Sequence, residues 1–266
     1  MISREELIRA ARDSDIIPEL LERDYALGWA LFGISLSSQS QKLAFKGGTA
    51  LSKVYYPERW RLSEDLDFTF MPEDDSSEVC KTLHDEVPAA LSGRTKLSFR
   101  FKGKPLIRKD YIQMKLGYVG PISSHGNTIK LEVLREQFLG VVRRVDVPRV
   151  YPDYPNFSVL TYSIENILAE KLRSLLERKK VRDYYDVWRL PKSQDIDYKA
   201  AKGMFLKKCE GRDVNFRSVD DFFPPDLLEV LKPYIETGLT RLVREPSPGL
   251  DVMIEETRSA LEARLR

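Results

Sequence analysis

Asp65 and Asp67 stand two residues apart in "RLSEDLDFTF", a stretch that otherwise reads as a strand. On a strand, residues i and i+2 share a face. The two carboxylates therefore project together, while Leu66 and Phe68 turn to a core. Like charges aimed into one space repel, and a cation between them relieves the cost. Mg²⁺ suits such a place, because it is a hard ion that takes oxygen ligands and is commonly shared with substrate phosphates. Mn²⁺ takes the same donors. The plain alternative is two solvated carboxylates at a strand end.

The segment just upstream narrows the choice. Lys42–Phe45 reads as a short strand stopped by Gly47-Gly48, and Thr49–Tyr55 as a helix starting at that turn. Paired glycines let the backbone approach a ligand closely. The N–H groups of a helix start can receive a phosphate, and Thr49 adds a hydroxyl. A lone Gly-Gly is usually only a turn. A phosphate cradle followed shortly by an acidic strand is the layout expected for metal-assisted phosphoryl or nucleotidyl transfer.

A third signal lies in the helix expected over Ile164–Arg178, whose apolar stripe is Ile164, Ile167, Leu168, Leu172, Leu175 and Leu176. Lys171 falls four residues after Ile167 and four before Leu175, inside the stripe. A lysine there either snorkels to water or points into a polar cavity, where a triphosphate would satisfy it. "VRDYYDVW" follows, with Asp183 and Asp186 three apart on a helical face and Arg182 before them. Tyr184, Val187 and Trp188 make that helix half-buried, so a carboxylate there is placed to hold Lys171, to accept a proton, or both. A solvated face is the competing reading.

The rest of the chain supplies the frame. With 266 residues, 42% hydrophobic and 32% charged, it can build one large domain or two modest ones. A formal charge of +2 points to no partner class. Cys80 and Cys209 form neither a zinc signature nor a disulfide framework, and a reducing cytoplasm is the expected home. The start is charged rather than signal-like, and no run approaches the roughly 18 apolar residues of a membrane span. His84 and His125 sit in unrelated segments, which disfavours histidine-led metal or Ser-His-Asp chemistry.

Helices are expected over Ile2–Ala11 and from Pro18 to about Ser35, the second too densely apolar for a purely surface helix. "MPEDDSSE" reads as a loop with Ser76 or Ser77 capping a helix that ends or kinks near Val87, before Pro88. Strands are expected at Leu66–Phe70, Thr95–Lys104, Tyr111–Val119 and Thr128–Arg135. Pro148, Pro152 and Pro155 mark a link, and the remainder is mostly helical. The expected class is α+β: a small mixed sheet in residues 1–150, then a helical part, 151–266.

"LAFKGGTALSKVY", "RLSEDLDF", "ENILAEKLRSLLER" and "VRDYYDVW", taken together and in order, resemble the AbiEii/AbiGii toxin family of nucleotidyltransferases, which includes the MenT toxins. The lead-in "IPELLERDYALGWALFGIS" is similar too, so the likeness runs from about Pro18 to Leu190. The resemblance implies a polymerase-β-like nucleotidyltransferase core whose active site the helical part completes. It implies use of an NTP and Mg²⁺ or Mn²⁺, a toxin function in a type IV toxin–antitoxin or abortive-infection setting, and a cognate antitoxin. Some members of the family add nucleotides to tRNA 3′ ends. It assigns Gly47, Gly48 and Thr49 to the triphosphate turn and Asp65 and Asp67 to metal. It assigns Lys171 to phosphate and Asp183, or alternatively Asp186, to the last catalytic motif.

Enzymes of that class often take a third carboxylate from a neighbouring strand. In "TIKLEVLRE" Glu132 shares a face with Lys130 and Leu134 and is the candidate, against an ordinary surface salt bridge. Arg94 to Lys115 carries eight basic residues and one acid, and its alternation puts Lys96, Arg100 and Lys102 on one face. Spaced cations suit a nucleic-acid backbone, here RNA, although a solvated face or an antitoxin surface would look the same. Transfer to a protein or small molecule, or a catalytically silent nucleotide- or partner-binding fold, are the other readings.

Overall fold

Strand β2 (Asp65–Phe70) lies inside a mixed eight-stranded sheet. The other strands are β1 (Leu43–Lys46), β3 (Ser98–Phe101), β4 (Leu106–Arg108), β5 (Tyr111–Val119), β6 (Asn127–Arg135), β7 (Val142–Asp146) and β8 (Ser158–Tyr162). The order is β3-β5-β6-β2-β1-β8-β7, with β4 pairing β5. β2 runs parallel to β6 and antiparallel to β1; β5 is antiparallel to β3, β4 and β6. The computed structural model describes residues 2–57, 60–70, 75–123, 126–193, 196–245 and 247–265. His125 and residues 71–74 of the expected loop lie outside the described residues.

The chain divides into two compact units, Met1–Thr161 and Tyr162–Arg266. In the first, one sheet face is apolar: Leu66, Phe68 and Phe70, then Ile112, Met114 and Leu116, then Ile129, Leu131 and Val133 are all buried. Helices α2 (Pro18–Ser35) and α4 (Ser76–Leu91) pack on this sheet and on each other; α1 (Arg4–Asp13) packs on α2. The interior of α2 is buried nearly without break from Asp24 to Ile34, as its dense apolar content requires.

Two local expectations are corrected. Asp75, not Ser76 or Ser77, caps α4, accepting from the Ser77 N–H at 3.3 Å. Pro88 does not end that helix, which runs to Leu91. An interior proline costs about 3 kcal/mol. Burying Val87 and Leu91 returns about 1.5–3 kcal/mol each. Leu91 nests against Gly33 of α2, where an added Cβ would stand 2.9 Å away.

The strand expected to Lys104 stops at Phe101, and Gly103, at φ +69°, turns the chain into β4. β4, β7 and β8 had no sequence signal of their own and enlarge the expected small sheet. The proline-rich link is pinned to α2. Tyr151 donates to Asp24 at 2.9 Å, Tyr154 to the Tyr25 carbonyl at 2.7 Å, and Tyr25 to Asp153 at 2.6 Å. The unit therefore closes at Thr161, after that link, where β8 pairs parallel to β1.

The second unit is helical: α5 (Ile164–Glu177), α6 (Val181–Ser193), α7 (Tyr198–Glu210), the short α8 (Leu227–Leu231) and α9 (Ile235–Gly238), and α10 (Leu250–Arg264). α5 packs against α6 and α7, and α10 against α6. Phe222 anchors its core, stacked on Phe216 and tilted against Phe205.

Gly28 tests the α2 packing. A Cβ there runs into the Tyr154 ring, which Tyr25 stacks and the Tyr25 carbonyl holds. Gly28→Ala is expected to destabilise the protein by about 1–3 kcal/mol through overpacking, measured by urea unfolding; unchanged stability would mean the link is loosely held.

Candidate active site

The parallel register of β2 and β6 builds the centre. It sets Asp67 opposite Glu132 and Asp65 opposite Lys130. On the other side of β2, Lys46 at the end of β1 pairs with Asp67. Beyond β6, Gln113 and Lys115 of β5 lie opposite Glu132 and Lys130. All these residues share the sheet face that the apolar side chains leave.

Gly47 follows Lys46 with φ +75°, a conformation that favours glycine. A Cβ on Gly47 would stand 2.7 Å from Asp67 Oδ2, and one on Gly48 2.5 Å from Arg61 Nη2. Both glycines are thus pressed against charged groups of the site. The helical turn α3 (Gly47–Ala50) starts two residues earlier than expected and passes into a π-helical turn, Leu51–Tyr55. Such widened turns recur at functional sites. Lys53 in that turn is buried and holds Asp24 of α2 at 2.7 Å. Thr49 is fully buried; its hydroxyl donates to the Asp65 carbonyl and shares a 2.6 Å hydrogen bond with Ser63. It therefore ties the glycine turn to the start of the acidic strand.

Asp67 is half-buried. Burial pushes its carboxyl up to about 6, and Glu132 and Asp65 add to the rise against the pull of Lys46 and Lys130. Glu132 is held from two sides: Tyr111 donates to Oε1, Gln113 approaches the same atom at 3.4 Å, and Lys130 lies 2.7 Å from Oε2. Lys130 also lies 3.8 Å from Asp65 Oδ2. Among the described residues no three Asp, Glu, His or Cys side chains close on one point as a ready metal cage. The donor set nonetheless fits a hard divalent ion. It consists of carboxylate oxygens on adjacent strands, and burial together with the neighbouring carboxylates keeps the Asp67 carboxyl raised.

The basic strand joins the same face. Arg100 pairs with Gly117, two residues from Lys115, and Arg108 pairs with Tyr111, two from Gln113. Lys102 continues that face: its N–H bonds the Lys115 carbonyl at 2.8 Å and its side chain lies across Gly117. Lys96 lies just before β3 and is exposed. A row of cations thus runs on from the carboxylates.

In the second unit, Lys171 neither snorkels nor faces an empty polar space. It is 7% exposed, with its ammonium 2.7 Å from Asp183 and 2.8 Å from Asp186. Arg178 adds a bond to Asp183 at 3.0 Å. Burial alone would raise the Asp183 carboxyl, but Lys171 and Arg178 hold it well below the usual carboxylate range. Such a group braces a lysine well and accepts a proton poorly. Arg182 is half-buried on the same helix.

Sequence reasoning missed Lys46, Arg61, Tyr111, Gln113 and Arg178. Strand register and turn geometry bring them in, and no spacing rule predicts these.

The sequence matches the AbiEii family, described as a nucleotidyl transferase toxin of a type IV toxin–antitoxin system, over residues 29–263. No curated protein matches in sequence. Among solved structures, the nucleotidyltransferase toxin MenT4 from Mycobacterium tuberculosis is similar at 19% identity and TM-score 0.65, covering 100% of this chain and 98% of that one. JHP933 from Helicobacter pylori is similar at 16% identity and TM-score 0.56, covering 94% and 96%. Both likenesses concern the fold.

The two charge clusters should respond oppositely to neutralisation. Without divalent ion, the raised Asp67 carboxyl contributes stability below its unfolded value of 3.8 and loses it as pH rises through about 6. Asp67→Asn is therefore expected to melt higher than the parent above pH 6, with the gain gone below pH 4; thermal melts against pH would show this. Lys171→Met removes the cation between buried Asp183 and Asp186, leaving Arg178 on Asp183, and is expected to cost about 3–5 kcal/mol by urea unfolding. The depressed Asp183 carboxyl stabilises above its unfolded value of 3.8, and that contribution is lost as pH falls toward its folded value.

Proposed function

We propose, from the premise that this chain belongs to the AbiEii family of nucleotidyltransferase toxins, that it transfers the NMP part of an NTP to an RNA hydroxyl, with a tRNA 3′ end the favoured acceptor. One observation carries the reading. The Asp65–Asp67–Glu132 carboxylates and the Arg100–Lys102–Lys115 cations lie on one face of one sheet. A phosphodiester chain running over the cations would end at the carboxylates.

In this reading Asp65, Asp67 and Glu132 hold Mg²⁺ or Mn²⁺. When bound, such an ion supplies charge stabilisation to the leaving pyrophosphate and lowers the pKa of the acceptor hydroxyl. The Gly47-Gly48 backbone approaches the triphosphate, and Thr49 keeps that turn in place against β2. Within the second unit, Asp183 and Asp186 orient the Lys171 ammonium. The acceptor oxygen attacks the α-phosphorus in line, the bond to the β-phosphate oxygen breaks, and pyrophosphate leaves. Family membership also points to a cognate antitoxin. A protein or small-molecule acceptor is the second reading, and the row of cations argues against a small one. Among the described residues no helix is long and apolar enough to cross a membrane.

The test is a labelling reaction with each NTP, Mg²⁺ and deproteinised tRNA. Label is expected in RNA with the parent and not with the folded Asp65→Ala, Asp67→Ala double variant. Arg100→Ala with Lys102→Ala should weaken RNA binding and flatten the slope of log K against log salt by about 1.4, or about 0.7 per lost contact. Label on protein instead, or RNA labelling indifferent to both pairs, would overturn the RNA reading.

A further inference from the structure

We propose that Lys130 is a tethered cation that stands in for the divalent ion at the carboxylate cluster and has to leave before that ion binds. The idea rests on the metal-ligand reading of Asp65, Asp67 and Glu132. Lys130 lies on β6 directly opposite Asp65 and two residues before Glu132, on the same face. Its ammonium is 2.7 Å from Glu132 Oε2 and 3.8 Å from Asp65 Oδ2. These oxygens belong to candidate ligands on two adjacent strands. Ammonium and metal ion compete for them.

The geometry around Glu132 is asymmetric. Tyr111 and Gln113 hold Oε1, and Lys130 holds Oε2. The carboxylate is thereby fixed through one oxygen while the other is engaged by a mobile partner. Lys130 can move: its side chain is 38% exposed, and a lysine is a point charge on a flexible stem. It is also pushed. Lys115 lies directly opposite on β5, and like charges at such a cross-strand pair repel. Only the carboxylates make the position comfortable.

Two consequences follow from the competition. Metal affinity is lowered while no nucleotide is present. A displaced Lys130 ammonium then sits beside the cluster, where an anionic phosphate is its natural partner. Ion and nucleotide thus favour each other through a residue of this chain. Lys130 is a positioning residue in this scheme.

The test measures Mn²⁺ binding without nucleotide, from the paramagnetic resonance of free Mn²⁺. The proteins compared are the parent, Lys130→Met, Lys130→Arg and the Asp65→Ala, Asp67→Ala variant. Lys130→Met is expected to bind Mn²⁺ about tenfold more tightly than the parent, the effect of removing one nearby competing charge. Lys130→Arg keeps the cation and is expected to stay near the parent. Equal binding by the parent and Lys130→Met, lost in the aspartate variant, would sink the Lys130 proposal and keep the metal site. Equal tightening in Lys130→Arg and Lys130→Met would assign the effect to packing and sink it as well. Mn²⁺ binding that is absent from both the parent and Lys130→Met, or indifferent to the aspartates, would overturn the metal reading along with it.

Discussion

The parallel pairing of β2 with β6 is the constraint on which the candidate site depends. One register places Asp67 beside Glu132 and Asp65 beside Lys130. A slip of one residue would turn every one of these groups to the other face and bring Leu66 and Phe68 out of the core. The apolar side of the same strands therefore guarantees the polar side. Leu66, Phe68, Leu131 and Val133 are fully or nearly fully buried, and their burial holds the four charged groups of the opposite face in place, three of them carboxylates that repel one another.

Charge is handled in two different ways along the chain. On the sheet, Asp65, Asp67 and Glu132 stand close together, and burial keeps the Asp67 carboxyl raised to about 6. That arrangement is costly to the fold and receptive to an added cation. Within the second unit, Lys171 is closed between two carboxylates with Arg178 beside one of them. There the charges satisfy one another and stiffen the junction of α5 and α6. A group whose charge burial penalises is suited to ligand chemistry, whereas one closed between opposite charges acts chiefly as scaffold.

Much of this was legible beforehand because it depends on local rules. The strand expected over Tyr111–Val119 is β5 to the residue, and density of apolar side chains predicts a buried α2. Asp-x-Asp on a strand shares a face by geometry alone, and Lys171 stands out because it interrupts an apolar stripe. The misses share a cause. β4, β7 and β8 are short strands that exist because neighbours pair with them. Pro88 stays in its helix because Gly33 of α2 makes room for Leu91 beyond it. The bond of Thr49 to the Asp65 carbonyl is likewise one that only the folded turn brings about.

The sequence by itself determined the fold class, the acidic pair, the glycine turn, the basic strand and the lysine in the stripe. Each follows from the period of a single element or from the chemistry of neighbouring residues. Only the tertiary structure decided who stands beside whom: Glu132 beside Asp67, Lys130 between Asp65 and Glu132, Arg100 and Lys102 on the carboxylate face, and both Asp183 and Asp186 on Lys171. Those pairings join residues far apart in the chain, and cross-strand register and helix packing set them. Burial of the opposite, apolar face selects that register, and no short-range pattern encodes it.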